Sequence, residues 1–355
     1  MTKALKGRKL LLVGFTLFSM FFGAGNLIFP PDLGAKAGVN FWPAFLGLVI
    51  SAVGLPVAGV IAVARADGLD KLAGRVHPVF AQVFMILILF GGCLLHPLTA
   101  QYGAPTDAYS SAVILQGVLY GYQTMDALAA LNFGAVIAMN IRAQGVAREQ
   151  DVQRSAIRAG LVAGGLLLAV YAMLGHAGAL TGAAVPGLAT GAEVLTVLAE
   201  RLFGKAGLVL LAAIFMLACF NTCVGLIACV GEYFHTLLPR IPYPVLAAFF
   251  AVASMLFSNL GLAEILRLSV PVLNALYPVA IVLIALSFVP GLEQRRRVYP
   301  LCIGCTAVQS IAAALPLGAL SALANALPLA ALGFGWVLPA AAGLLAGILL
   351  SRTEK

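Results

Sequence analysis

Long apolar stretches, separated by short polar segments, follow one another along the whole chain. Since about 20 mainly apolar residues cross a bilayer as a helix, the pattern predicts about ten membrane-spanning segments. They cover residues 9–31, 42–64, 78–95, 117–141, 156–176, 206–234, 242–259, 264–289, 299–324 and 333–351. In residues 192–203 apolar and charged positions alternate at helical spacing, which predicts a short helix at the membrane interface. The pattern is that of an all-α integral membrane protein with a single polytopic domain.

Composition agrees with this interpretation. Of the 355 residues, 62% are hydrophobic and 10% are charged, whereas about 25% of an ordinary soluble domain is charged. The six cysteines lie inside apolar runs, which favours reduced thiols over a secreted disulfide framework. No segment resembles a nucleophile elbow, a P-loop, a zincin helix or a dinucleotide-binding turn. We therefore expect no enzyme activity and no cofactor.

The net charge of +8 predicts membrane orientation rather than nucleic-acid binding, because the basic residues are dispersed among apolar spans. With a cytoplasmic N-terminus, most of the 21 lysine and arginine residues fall in inside segments. Those left outside are Lys36, Arg201, Lys205 and Arg267. The positive-inside rule then predicts a multi-pass protein of the plasma (inner) membrane with both termini cytoplasmic. A cleaved signal peptide is the alternative for the N-terminal segment, but nine further spans favour a retained helix.

Small and polar residues interrupt the first span at Gly23, Ala24, Gly25 and Asn26. In hydrocarbon an irregular backbone is tolerated only where it is buried in protein or lines a cavity. The half-helix before the break ends in carbonyls suited to a cation, and the half beginning near Asn26 offers N–H groups to a carboxylate. The alternative is a kinked helix whose glycines serve only to pack at a helix crossing.

A second interruption lies about ten residues into the fourth span, where Gly121, Tyr122, Gln123, Thr124 and Asp126 bring polarity into the membrane. An intramembrane carboxylate usually faces a cavity or a partner. The alternative is that Asp126 only caps a shortened half-helix. Two broken helices that point in opposite directions are typical of inverted-repeat transporters.

The sixth span places Cys219, Thr222 and Cys223 on one helix face, at positions i, i+3 and i+4. The hydroxyl of Thr222 is suited to complete a sodium shell otherwise made of backbone carbonyls, because hard cations prefer oxygen ligands. The alternative is that this hydroxyl bonds back to a carbonyl of its own helix.

Five segments of the chain resemble the branched-chain amino acid:cation symporter family, the system II carriers for leucine, isoleucine and valine. They read FFGAGNLIFPPDLGAKAG, GLPVAGVIAVA, GYQTMDALAALNFG, NTCVGLIACVGEYF and SNLGLAEILRLSVPVLNALYP. The resemblance covers most of the chain in the family's order. It implies a LeuT-type fold of two inverted five-helix repeats, and sodium-coupled uptake of branched-chain amino acids by alternating access.

The resemblance also implies the residues of the site. The substrate is expected against Phe22, Gly23, Ala24, Gly25 and Asn26 of the first broken helix, and against Tyr122, Gln123, Thr124 and Asp126 of the second. Sodium is expected between the backbone near Ser19 and Phe22 and the face formed by Cys219, Thr222 and Cys223. The other expected partner is membrane lipid, and the sequence leaves the oligomeric state open.

One departure from the family lies between RVHPVF and HPLTAQYGAPTDAYSS, where this chain has one span and the family usually has about three. We therefore expect an incomplete first repeat in residues 1–116, a second repeat in 117–289 and two additional helices in 299–351. The alternatives are a truncated, non-transporting or regulatory remnant of the family, and a carrier for other small neutral amino acids.

Overall fold

The computed structural model describes residues 4–58, 60, 102–124, 126–292, 295, 297–315 and 318–352. Every regular element in these ranges is a helix, which confirms the all-α class. The third predicted span, residues 78–95, lies outside the described residues.

The helices, numbered in chain order, form two compact units, Met1–Ala253 and Ser254–Lys355. Those that begin in the first unit are α1 Gly7–Phe21, α2 Ala24–Ala37, α3 Phe41–Val49, α4 Val113–Gly121, α5 Asp126–Ala143, α6 Glu149–Ala184, α7 Gly191–Leu237 and α8 Tyr243–Ser258. Those of the second unit are α9 Leu262–Ser287, α10 Val298–Ala314, α11 Ala319–Asn325 and α12 Val337–Arg352.

Each predicted span that falls within the described residues is occupied by helix. In these residues four helical runs are long and apolar enough to cross a membrane: Ala24–Ala58, Glu149–Ala184, Gly191–Leu237 and Arg267–Ser287. A fifth crossing is possible if α10 and α11, bent by 111°, form one broken span. The count of about ten spans stays a prediction.

The first predicted break is present, but its extent differs from the prediction. Only Phe22 (φ −76°, ψ 86°) and Gly23 (φ −115°, ψ −163°) leave the helical conformation, and α2 begins at Ala24. The side chain of Asn26 explains the early start, because its Oδ1 accepts the Gly23 N–H at 3.0 Å. A carbonyl oxygen in this position satisfies one of the N–H groups that a helix start leaves open.

The second predicted break is also present. Helix α4 ends at Gly121, a 3₁₀ turn covers Tyr122–Thr124, and α5 begins at Asp126. The Thr124 hydroxyl donates to the Gly121 carbonyl at 2.9 Å, so the turn satisfies one backbone group that the α-helix no longer serves. The fourth span is therefore interrupted where its polar residues predict.

Glycines bring the helices of the first unit into close backbone contact. A Cβ atom on Gly178 of α6 would lie 2.5 Å from the Cα atom of Pro31 in α2, and one on Gly34 of α2 would collide with the backbone of Gly175 in α6. Gly47 of α3 and Gly117 of α4 approach each other's helices in the same way. Small residues at such crossings are a general device of membrane helix packing. They fix α2 against α6, the helices that carry Asn26 and Tyr171.

The predicted interfacial helix becomes the first part of α7. The Thr190 side chain caps its start by accepting the Glu193 N–H at 3.3 Å. Gly204 then interrupts the helical geometry, with φ 59° and ψ −144°, before the apolar part of α7 begins. The left-handed φ explains why a glycine stands at this corner.

The second unit has a small apolar core of its own. Val282 and Leu286 of α9 pack with Val298 and Cys302 of α10 and with Ala340 of α12. A hydrogen bond from Ser310 Oγ to the Ala275 carbonyl, 2.8 Å long, joins α10 to α9.

Candidate functional site

Three buried side chains from three helices form a closed triangle of hydrogen bonds. The amide nitrogen of Asn26, in the first turn of α2, donates to Asp126 Oδ2 of α5 at 2.5 Å and also to the hydroxyl oxygen of Tyr171 in α6. The Tyr171 hydroxyl in turn donates to Asp126 Oδ2 at 2.8 Å. The exposed fractions are 2% for Asn26, 3% for Asp126 and 0% for Tyr171. The triangle therefore joins the two broken helices in the interior of the first unit.

The orientation of the Asn26 amide follows from this network. Its oxygen accepts the Gly23 N–H, and its nitrogen supplies both bonds of the triangle. Reversing the amide would set its NH₂ group against the Gly23 N–H and its oxygen against the carboxylate. Asn26 thus couples the conformation of the first break directly to Asp126.

The other predicted substrate residues lie around the triangle to different depths. Tyr122 and Thr124 are buried, and Gln123 is half-buried. Phe22 is buried with its ring stacked on Phe18, the centroids 5.1 Å apart. Gly25 approaches the second break, because a Cβ atom on it would lie 3.7 Å from the Thr124 carbonyl oxygen. The two predicted stretches are therefore neighbours within the first unit.

Thr222 of α7 lies against the first break. A Cβ atom on Gly23 would be 2.8 Å from Thr222 Oγ1, so only a glycine fits without displacing this side chain. The hydroxyl oxygen is buried and has no hydrogen-bond partner among the described residues. The bond back to its own helix, the alternative stated above, is therefore not made. A buried hydroxyl left without a partner costs free energy, which requires an explanation such as a bound ion or water.

The remaining predicted sodium ligands divide into two groups. Ser19 is buried, with its hydroxyl donating to the Thr16 carbonyl at 2.8 Å, and Cys219 is half-buried. Cys223, in contrast, is exposed. The structure thus places Thr222 at the break, while it buries Ser19 and leaves Cys223 exposed.

Sequence reasoning did not select two groups that the structure places in this region. Tyr171 sits in an otherwise apolar stretch of α6, and only the three-dimensional fold shows that its hydroxyl reaches Asp126. Asp32, one residue beyond the predicted first span, is 3% exposed within α2. Its Oδ2 accepts from Lys36 at 2.7 Å and from the Tyr120 hydroxyl of α4. The spacing of Asp32 and Lys36 at i and i+4 was a visible signal for this ion pair.

The fold and the site together define a class of protein. Apolar helices of membrane length, with two interrupted helices joined through a buried carboxylate, characterise a multi-pass membrane protein with a polar site in its interior. The comparison with known families agrees. The model of the family described as branched-chain amino acid transport protein matches residues 6–101 and 85–354, and the chain belongs to this family.

Individual relatives support the assignment. The chain is 33% identical to the branched-chain amino acid permease BraB of Bacillus subtilis, with 99% of this chain and 97% of the relative covered. It is 33% identical to the branched-chain amino acid transport system 2 carrier protein of Pseudomonas aeruginosa, covering 98% and 97% of the two chains. Identity to the system 3 carrier protein of the same organism is 35%, with 98% and 97% covered. No solved structure is significantly similar to the chain.

The alignments also bear on the expected internal deletion. The one with BraB extends over 432 positions, whereas this chain has only 355 residues. The family model, moreover, matches in two segments that overlap at residues 85–101. Its relatives therefore carry residues that this chain lacks, as the short interval between RVHPVF and HPLTAQYG predicts.

Proposed function

We propose that the chain is a sodium-coupled symporter that imports branched-chain amino acids by alternating access. Membership of a family of branched-chain amino acid transport proteins supports the substrate class. The observation that carries the proposal is the junction of two broken helices at Asn26 and Asp126. Helix ends at such a junction supply partial charges of both signs, which suits a zwitterion.

The chemistry of the site fits an aliphatic amino acid. The N-terminal end of α2 carries partial positive charge for the substrate carboxylate, while the C-terminal end of α1 and Asp126 favour positive charge. Phe22 and Tyr122 are buried in the first and the second break, and in this proposal they offer apolar surface to a leucine, isoleucine or valine side chain. A few polar groups that fix orientation within an apolar pocket are the usual design of a small-molecule site.

Sodium coupling rests on Thr222. Its buried hydroxyl faces the break and lacks a hydrogen-bond partner among the described residues, which fits an oxygen ligand for a hard cation. The carbonyl groups in the last turn of α1 lie beyond the regular helical ladder, because the conformation changes at Phe22. In this proposal Ser19 and Phe22 contribute backbone oxygen, and Cys219 shields the ion.

Uptake into proteoliposomes tests the proposal. Radiolabelled leucine is presented to vesicles that contain the purified chain, with sodium outside only, with sodium equal on both sides, and with potassium in place of sodium. We expect accumulation above equilibrium with the inward sodium gradient alone, and competition by isoleucine and valine. Accumulation that is independent of sodium contradicts the coupling, and competition by alanine, serine or proline identifies a carrier for other small neutral amino acids.

A second candidate is a non-transporting or regulatory member of the family. It is favoured by one observation, the residues that relatives carry and this chain lacks. In an inverted-repeat fold those residues belong to the wall beside the broken helices. Thermal stability separates the candidates: leucine at about 100 times its dissociation constant stabilises a binding protein by about 2.7 kcal/mol, whereas an inert remnant does not respond. Stabilisation without uptake identifies a binding protein that does not transport.

A further inference from the structure

Asp126 places a carboxyl group in the protein interior, where the residue is 3% exposed. Two of its hydrogen-bond partners, Asn26 and Tyr171, are neutral, and both donate to the same oxygen, Oδ2. The ion pairs of the described residues join Lys36 to Asp32, Arg142 to Glu149 and Arg267 to Glu264, so none includes Asp126.

Hydrogen bonds from neutral groups compensate only part of the cost of burying a carboxylate. An ionised group in a medium of low polarity is stable when it is paired as well as hydrogen-bonded. Asp126 is the first residue of α5, so the positive end of that helix contributes about half an elementary charge. The arrangement therefore holds the carboxyl group in place, and its ionised form would be stabilised by one cationic partner.

The position of Asp126 relative to the first break shows which cation fits. Thr222 touches Gly23 from one side, and the Asn26 side chain connects the N–H of Gly23 to Asp126 on another. The two oxygen groups are therefore separate points around one break. Thr222, a neutral hydroxyl, suits a metal ion held mainly by carbonyl groups. The carboxyl group of Asp126, in its ionised form, suits an ammonium group with its three N–H donors.

We infer that Asp126 is the counter-charge for the α-ammonium group of the transported amino acid, and that Tyr171 is a positioning residue that holds this carboxylate together with Asn26. The inference rests on the proposed function, since it names what the substrate site recognises. It assigns opposite ends of the zwitterion to different elements: the ammonium group binds at the start of α5, and the carboxylate binds at the start of α2. It also gives a role to the hydroxyl of Tyr171, which lies in an otherwise apolar stretch of α6.

Binding of two leucine analogues to the wild-type chain tests the inference without any substitution. One probe is 3-methylbutylamine, which keeps the ammonium group and lacks the carboxylate. The other is 4-methylpentanoate, which keeps the carboxylate and lacks the ammonium group. We expect the amine to displace labelled leucine and the acid to fail, because an anionic ligand without an ammonium group would lie against Asp126. Displacement by the acid as effective as that by leucine overturns the inference.

Asp126→Asn then reverses this selectivity. The substitution keeps the shape and removes the charge, and we expect the affinity for leucine and for the amine to fall about 100-fold, the usual effect of removing one partner of a buried charge pair. Displacement by the acid should improve, because the repulsion is gone. Asp107→Asn, at an exposed position in the 3₁₀ turn Asp107–Tyr109, is the matched control and should change neither.

Tyr171→Phe separates positioning from folding. It removes one donor to Asp126 and keeps the ring, so we expect weaker binding of leucine and of the amine, with no change for the acid. A loss of thermal stability with unchanged selectivity between the probes would make Tyr171 a packing residue only.

The outcomes also distinguish this inference from the proposed function. If Asp126→Asn binds leucine normally but no longer responds to the cation gradient, Asp126 serves the coupling ion and the inference is wrong, whereas the symporter proposal survives. If the wild-type chain binds leucine with the expected probe selectivity but does not transport it, the inference stands and the symporter proposal fails. If the wild-type chain binds no leucine, both are wrong.

Discussion

At the scale of single residues, Thr222 stands out from the other threonines of α7 because its buried hydroxyl makes no hydrogen bond to the described part of its own helix. Other hydroxyls of α7 follow the ordinary pattern: Thr196 donates to the Ala192 carbonyl at 2.8 Å, and Thr236 to the Tyr233 carbonyl at 2.6 Å. Thr222, on the same helix, leaves its buried oxygen without such a bond among the described residues. The difference lies in what each hydroxyl faces, since only Thr222 faces the first break.

Replacing Thr222 by valine tests this role. The substitution removes the hydroxyl and nearly conserves the shape, so we expect the sodium concentration for half-maximal leucine uptake to rise at least tenfold, because an interaction with a charged group contributes about 1.5–3 kcal/mol. Thr222→Ser, which keeps the oxygen, should stay close to wild type. Sodium titration of uptake by proteoliposomes measures both.

The control is Thr196→Val on the same helix, where the hydroxyl only bonds back to the backbone. It should leave the sodium response unchanged. An unaltered sodium response in Thr222→Val, at normal protein level, would show that the ion does not bind this hydroxyl.

The residues of the site were predictable to different degrees. Asn26 and Asp126 stand out in the sequence, because polar side chains within apolar spans are costly unless they have partners. Which partners they have was not predictable, since hydrogen bonds between residues 100 or 145 positions apart depend on how the helices pack. Tyr171 gave no comparable signal, because a tyrosine places most of its surface among apolar neighbours and only its hydroxyl needs a partner.

At the scale of elements, the contact between α2 and α6 depends on glycines. Gly178 has no room for a Cβ atom, because the atom would collide with the backbone of Pro31. Gly165, on the same helix, has nothing within 4 Å of the place a Cβ atom would take, and it is exposed. The helix therefore carries its own internal control for the role of small residues in packing.

We expect Gly178→Ala to lower the free energy of unfolding by about 1–3 kcal/mol, the usual effect of forcing extra volume into a close contact. Gly165→Ala should be neutral or slightly stabilising, because alanine favours the helix by about 0.5–1 kcal/mol relative to glycine. Thermal unfolding of the purified variants in one detergent measures the difference. Equal unfolding midpoints for the two variants would mean that α2 and α6 are not in close backbone contact in the protein.

The positions of the long helices were predicted well, because their apolar length marks them in the sequence. The limits of the first break were predicted less well, because a single side chain sets them. The apolar runs located the helices, because a bilayer requires long apolar segments. The limits of the first break were wrong, since a string of small residues looks irregular throughout. In the structure Asn26 caps the second half-helix from within, so that Ala24 and Gly25 are already helical.

At the scale of the whole chain, hydrogen bonds join segments that are distant in sequence at two places. The Leu5 N–H donates to Ser155 Oγ at 2.9 Å, which joins the N-terminal segment to the start of α6. At the other end of α1 and α2, the Thr106 N–H donates to the Lys36 carbonyl at 2.9 Å and the Val39 N–H to the Gly103 carbonyl at 2.9 Å. The charge distribution assigns the first of these places to the cytoplasm and the second to the outside.

Labelling of introduced cysteines in intact bacterial cells tests the topology. Ser110→Cys lies shortly after Thr106, which bonds to Lys36, and Ala147→Cys lies in the connection between α5 and α6. Both positions are exposed. We expect a membrane-impermeant maleimide to label Ser110→Cys in intact cells and Ala147→Cys only after permeabilisation, because the α5–α6 connection adjoins the basic residues Arg148, Arg154 and Arg158. The parent chain, labelled in parallel, corrects for the six native cysteines. Labelling in the opposite order would invert the orientation, and labelling of both positions from outside would mean that the number of crossings between them differs from the predicted one.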